Sequence, residues 1–153
     1  MDYAVTVETV TPRILAAVRR RVKPAEISTA FRAPLDQVWA FLRSHPGLRT
    51  DGHNVFLCHH VPDPLAGLEI DFGVEVVRQF PAEGDITCVE TPACTAAIVH
   101  HRGPYSELAA ARAALHRWCR DNGKRIGSWS WEIYGDWHTD ENRLEKTIVY
   151  ALA

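Results

Sequence analysis

Apolar and polar residues alternate over the start of the chain, where Tyr3, Val5 and Val7 stand between Ala4, Thr6 and Glu8. A period of two sends successive side chains to opposite faces and predicts a strand. The run ends in Val7-Glu8-Thr9, and the same triplet returns as Val89-Glu90-Thr91 after a shorter alternation through Ile86 and Cys88. A proline turn accompanies each triplet, at Thr11-Pro12 and at Thr91-Pro92. A second apolar strand follows: residues 13–22 with Ile14, Leu15 and Val18, or residues 94–101 with Ile98 and Val99. Each half is thereby predicted to open on a hairpin.

The period then changes to that of a helix. Leu35, Val38, Trp39 and Leu42 fall at i, i+3, i+4 and i+7, with Pro34 suited to a first helical position and His45-Pro46-Gly47 as a stop. Leu108, Ala111, Leu115, Trp118 and Cys119 form the matching stripe, closed by Asp121-Asn122-Gly123. Two further strands end each half: 54–60 and 68–77 around Pro62-Asp63-Pro64, then 128–134 and 144–152 around Gly135-Asp136. The last strands even start alike, Leu68-Glu69 and Leu144-Glu145. These elements predict an α+β fold made of a tandem β-β-α-β-β repeat with pseudo-two-fold symmetry. The sheet should be mainly antiparallel and backed by two helices, with a ligand crevice between the halves, about residues 1–80 and 81–153 of one domain.

Composition narrows the function classes. The 153 residues are 46% hydrophobic and 24% charged, as expected of a globular domain, and a net charge of -2 offers no general attraction to nucleic acid or to an anionic membrane. The basic run Arg19-Arg20-Arg21-Val22-Lys23 reads as a solvated strand end. No long apolar run or leader pattern occurs, which predicts a cytoplasmic protein. Cys58, Cys88, Cys94 and Cys119 lack C-x-x-C spacing and read as reduced core or near-core residues. Adjacent strand residues face opposite ways, so neither His59-His60 nor His100-His101 can chelate one ion; no metal and no cofactor is expected.

The segment Trp129-Ser130-Trp131-Glu132-Ile133-Tyr134-Gly135 is a strand by its aromatic and β-branched residues, with a carboxylate in its middle. Ser130, Glu132 and Tyr134 share one face, and Trp129, Trp131 and Ile133 share the other. The apolar set is the better candidate to pack under a helix, leaving Glu132 and Tyr134 to the crevice. Twist or a bulge would be needed to turn Trp131 inward as a ligand wall.

His101-Arg102-Gly103-Pro104-Tyr105-Ser106-Glu107-Leu108, followed by Trp118, Gly123 and Trp131-Glu132-Ile133-Tyr134-Gly135, resembles the GyrI-like family, the effector-binding domain of bacterial transcription regulators. The resemblance is close over the second half; it reaches the first half only through the repeat and the Thr-Pro turn. It implies a central cavity for lipophilic, often cationic, small molecules, with a glutamate of a Glu-x-Tyr strand matching Glu132 and Tyr134. Some members are fused to a helix-turn-helix, some stand alone, one binds DNA gyrase and a subset hydrolyses cyclopropanoid toxins. Because the chain starts at its first strand, it reads as a free-standing member without direct nucleic-acid binding.

Two roles for Glu132 follow. As the anion of a binding module it would meet a cation at about 4 Å, a gain of roughly 4 kcal/mol at an effective dielectric of 20, while rings select a flat apolar body. As the carboxyl of a hydrolase its pKa would be raised by a dry pocket, with Tyr134 orienting the substrate. Against both stands a solvated strand carboxylate with a loose basic neighbour. By the repeat, Leu57 and His59 are equivalent to Glu132 and Tyr134 and would form the opposite wall. Tyr105 packs at the strand-to-helix corner, a position from which a tyrosine can also reach the cavity, and Trp39 and Trp118 are helix-stripe residues that can show an indole edge to a ligand. A protein partner or a homodimer through the edge strands is the remaining alternative.

Overall fold

The computed structural model describes residues 3–60 and 67–153; the Pro62-Asp63-Pro64 turn lies outside them. The chain runs β1 (Val5–Val10), β2 (Ile14–Val22), α1 (Ile27–Ala30), α2 (Arg32–Ser44), β3 (Asn54–His59) and β4 (Leu68–Glu75). The second half supplies β5 (Thr87–Glu90), β6 (Cys94–Arg102), α3 (Leu108–Asp121), β7 (Ile126–Tyr134) and β8 (Glu145–Leu152). All eight strands join one antiparallel sheet in the order β1-β6-β8-β7-β3-β4-β2-β5. Replacing each strand of one half by its counterpart in the other reverses this order without changing it. The pseudo-two-fold axis therefore passes between β3 and β7.

The opening hairpins expected from the sequence do not form. β1 pairs with β6, Val5 opposite Val99 through Val10 opposite Cys94, and β5 pairs with β2, Ile14 opposite Glu90 through Ala17 opposite Thr87. Each half thus gives its first strand to the other. Only Thr11, Pro12 and Arg13 link β1 at one edge to β2 in the seventh position. In a flat sheet those strands would lie about 29 Å apart, whereas four Cα steps reach at most about 15 Å. The sheet must roll, and Leu15 and Ala17 of β2 accordingly join Ala96 and Ile98 of β6 around Val55, Leu57, Trp131 and Val149. The crossing segments also clasp each other: Arg13 N–H donates to Thr91 Oγ1 at 2.8 Å and Thr91 N–H to the Arg13 carbonyl at 3.0 Å.

Both helices cover the other, outer face. α2 starts two residues before Pro34 and buries Leu35, Val38, Phe41 and Leu42 on Ala16, Val18, Ile70, Phe72 and Val74. α3 buries Leu108, Ala111, Leu115 and Cys119 on Ala97, Val99, Ile148 and Tyr150. Beyond their ends Gly47 and Gly123 take positive φ, the left-handed turn that closes a helix. The indole set of β7 consequently does not pack under a helix: Trp131, 2% exposed, lies inside the rolled face, and Glu132 and Tyr134 point between the helices.

The basic run at the end of β2 is paired rather than phosphate-ready. Arg19 holds the buried Asp71 with two hydrogen bonds, of 3.0 and 3.1 Å, and Arg20 lies 3.4 Å from Asp85. Among the described residues no helix is long and apolar enough to cross a membrane.

Candidate functional site

The gap between the two helices, over the axis strands, encloses a cavity of about 460 Å³. Glu132 and Tyr134 of β7, Asn54 and Phe56 of β3 and Lys146 of β8 form its floor. Ile27, Phe31 and Leu35 line one side, Leu108 and Arg112 the other, and Trp137, 74% exposed, stands at the mouth. Tyr105 enters from the corner before α3, where Gly103 at φ 132° takes a turn that a side chain would strain.

Phe31, Phe56, Tyr105, Tyr134 and Trp137 contribute aromatic rings to the lining. Phe31, Phe56, Tyr134 and Tyr105 form a chain with centroid separations of 5.9, 5.0 and 5.4 Å, the last pair edge-to-face at 87°. Trp39 stays outside the cavity but shapes it: its Nε1–H donates to Asn54 Oδ1 at 3.0 Å, and the Arg49 guanidinium lies 4.7 Å from its ring.

Glu132 is neither solvated nor unpaired. Arg112 donates from Nε and Nη2 to its Oε2 at 2.9 and 2.7 Å, and Lys146 Nζ stands 2.9 Å from Oε1. Lys146, its side chain 3% exposed, also donates to the Tyr134 hydroxyl at 2.9 Å and lies 4.2 Å from that ring's centroid. Burial alone would push the Glu132 carboxyl up, but the charges of Lys146 and Arg112, and then their hydrogen bonds, hold it below its ordinary value. Burial pulls the Lys146 ammonium down despite the facing carboxylate. For Arg112 burial is outweighed by Glu132, and the guanidinium is held more firmly protonated than usual. Burial first, and the neighbouring carboxylate second, push the Tyr134 phenol far up, so it stays protonated.

This corrects the sequence-based picture of a lone carboxylate awaiting a cation: the protein supplies two cations of its own. Both were visible as breaks of pattern. Arg112 interrupts the apolar stripe of α3 between Leu108 and Leu115, and Lys146 is in phase with the buried Ile148 and Tyr150 of β8.

The structure brings Glu132, Tyr134 and Tyr105 together around this cavity; Leu57 and His59 it does not. β3 and β7 pair Phe56 with Glu132 and Leu57 with Trp131, so the residues of β3 on the site face are Asn54, Phe56 and Cys58. Leu57 is buried in the rolled face and His59 stacks on Trp129 at 4.2 Å. Val5, in phase with Val7, packs toward α3, while Val89 packs into the rolled face, so the two triplets are not equivalent in space. Trp131 lies on that same rolled face, and Trp118 packs on the α3 cluster without lining the cavity.

A second cavity, of about 350 Å³, adjoins the first and shares Ile27, Phe56, Arg112 and Glu132 with it. The Arg112–Glu132 pair is thus the partition between them. Cys58, Ser130 and Tyr150 line the far side, and burial pushes the Cys58 thiol up to about 12, which leaves it a poor nucleophile. The histidines have separate partners: His60 meets Ser130 Oγ at 2.8 Å, His100 meets Thr147 Oγ1 at 2.9 Å, and His101 meets Tyr3 at 2.8 Å. Among the described residues no three His, Cys, Asp or Glu side chains are placed to hold a metal ion.

The fold is shared with solved structures. The C-terminal domain of EcmrR superposes with a TM-score of 0.81 at 24% identity, over 100% of this chain and 99% of that one. SAV2435 bound to tetraphenylphosphonium gives 0.72 at 12% identity over 100% and 94%, and a hydrolase from Listeria innocua gives 0.63 at 10% identity over 99% and 93%. No curated protein sequence matches the chain significantly. Residues 3–150 match the family model described as the GyrI-like small molecule binding domain, and this chain therefore belongs to the GyrI-like family.

Proposed function

We propose that this protein binds a flat, lipophilic, aromatic small molecule in the cavity between α2 and α3, as a sensing or sequestering domain for foreign compounds. The observation that carries this reading is the cavity itself: about 460 Å³, a size that suits small organic ligands, lined by the rings of Phe31, Phe56, Tyr105 and Tyr134. The likeness to SAV2435, which holds tetraphenylphosphonium, and to the EcmrR domain supports it.

A lipophilic cation, the ligand class expected for a bare Glu132, would have to take the place of Arg112 on the carboxylate. Hydrolysis is the weaker reading despite the similarity to a Listeria innocua hydrolase. A carboxylate that is to deprotonate water needs a raised pKa, whereas the charges and hydrogen bonds of Arg112 and Lys146 hold Glu132 low.

The test is to block the mouth. Ser28 is exposed on the rim, and Ser28→Trp would lay an indole across the opening. Saturable binding of flat aromatic compounds, followed by quenching of Trp137, is expected in the native protein; a parallel equilibrium dialysis should show it lost in Ser28→Trp at unchanged Tm. Equal uptake by both proteins would reject the cavity as the site. Recovered ligand should be chemically intact; gain of one water would restore the hydrolase.

A further inference from the structure

The charged residues lining the main cavity are Arg112, Glu132 and Lys146, two cations against one carboxylate. Three of that carboxylate's roughly four acceptor positions are taken, two by Arg112 on Oε2 and one by Lys146 on Oε1. The donors around it keep more to give. Lys146 has three ammonium protons, of which Glu132 and the Tyr134 hydroxyl take two, and among the described residues no acceptor takes the third. Arg112 uses Nε and Nη2 and keeps Nη1 uncommitted. The Tyr134 oxygen accepts from Lys146 and leaves its own O–H to be given away. Asn54 receives Trp39 on its carbonyl oxygen, which keeps both amide protons available in the cavity lining.

The cavity therefore ends in a cluster of donors with surplus positive charge, built on a lysine whose side chain is 3% exposed. Lys146 and Glu132 are largely buried while the Arg112 side chain is 40% exposed, so water offsets part of the surplus and an opposite charge in the cavity would offset the rest. A cationic ligand would add to the surplus and find most of the carboxylate's acceptor positions taken. An anion would complete the neutralisation and accept from donors that lack partners.

We propose that the ligand of this cavity is an aromatic monoanion, a carboxylate or phenolate on a flat ring body, with Lys146 and Arg112 as its counter-ions. The proposal rests on the cavity being the binding site. It makes Arg112 the specificity-determining residue: placed half-exposed on the partition, it can turn its guanidinium from Glu132 to a ligand without leaving the wall.

Three probes with one ring body and different charge decide the matter: 2-naphthoate, neutral 2-naphthamide and 2-naphthylmethylammonium, titrated calorimetrically at neutral pH. The proteins are wild type, Arg112→Met and Arg120→Met, the last removing an exposed cation of the same helix that lies beside Asp121. Naphthoate should bind at least about tenfold more tightly than naphthamide, and the ammonium most weakly. Arg112→Met should weaken naphthoate by about tenfold or more while changing naphthamide less than about threefold, and Arg120→Met should change neither. Naphthamide binding as tightly as naphthoate, or the ammonium binding best, would overturn the anion assignment and leave the cavity reading intact. Equal weakening of naphthoate and naphthamide by Arg112→Met would reduce Arg112 to a packing role and overturn its part. No binding of any probe by wild type would reject both readings.

Discussion

Glu132 sits where three strands and a helix converge, and its environment explains why a carboxylate is tolerated among rings. Removing it leaves two cations facing each other, one of them buried. Breaking a buried pair from one side costs about 3–5 kcal/mol, and Glu132→Gln should lose stability of that order near neutral pH. The pH dependence has a definite sign. The Glu132 carboxyl is depressed in the folded state, so its contribution is complete above the ordinary carboxylate range and is lost as pH falls through the folded value. Lys146 is also depressed, which for an ammonium is a cost at low pH that is relieved as pH rises through its folded value. Without Glu132 that relief starts at lower pH. Urea unfolding from acid to alkaline pH should show the gap between wild type and Glu132→Gln widest near neutrality and narrowing at both ends. A gap independent of pH would show that the charges of Glu132, Arg112 and Lys146 do not carry it. At this scale the placement of Glu132 and Tyr134 on one face was readable from a period of two, but their partners were not. An ion pair across 20 or 14 residues leaves no periodic trace beyond a charge out of place in an apolar stripe.

At the scale of elements, the crossing segments matter most. Thr91 is 1% exposed, and its Oγ1 receives the Arg13 N–H while its own N–H reaches back to Arg13. Thr91→Val keeps the shape and leaves the Arg13 N–H, in a part-buried bond, without its acceptor, at a cost of about 1 kcal/mol. The corresponding measurement is a thermal melt with amide exchange: faster exchange at Arg13 is expected, and wild-type protection there would show that the clasp is not made through this hydroxyl. Sequence periodicity found every strand and both main helices within a few residues, because each has an apolar face of the right repeat. It mispaired β1 and β5, because a short Thr-Pro link looks the same whether the chain turns back on itself or crosses to the other half. α1 escaped notice, since a single turn of Ile27–Ala30 is too short for a helical period to appear.

For the whole molecule, the exchange of first strands has a mechanical consequence. Residues 1–80 would leave β1 without β6, and residues 81–153 would leave β5 without β2, so both fragments expose unpaired edges and half of the rolled core. We expect neither fragment to fold alone, the intact chain to unfold in one cooperative transition, and equimolar fragments to regain the native circular dichroism on mixing. An independently folded half would show that the repeat units are separate domains. The same roll supplies the functional geometry: it buries Trp131 on the inner face, frees the outer face for helices, and leaves the space between them over the two-fold axis.

The residues alone were enough for the α+β class, the duplication, the two amphipathic helices and the face of Glu132 and Tyr134, because these follow from local periods and from likeness between the halves. Tertiary structure decided which strands pair, which residues of β3 share the site with Glu132, and that Arg112 and Lys146 neutralise it. Those are matters of register and of approach between distant segments. A shift of one residue exchanges the two faces of a strand without altering its pattern, and only the folded sheet distinguishes Phe56 from Leu57 as the neighbour of the carboxylate.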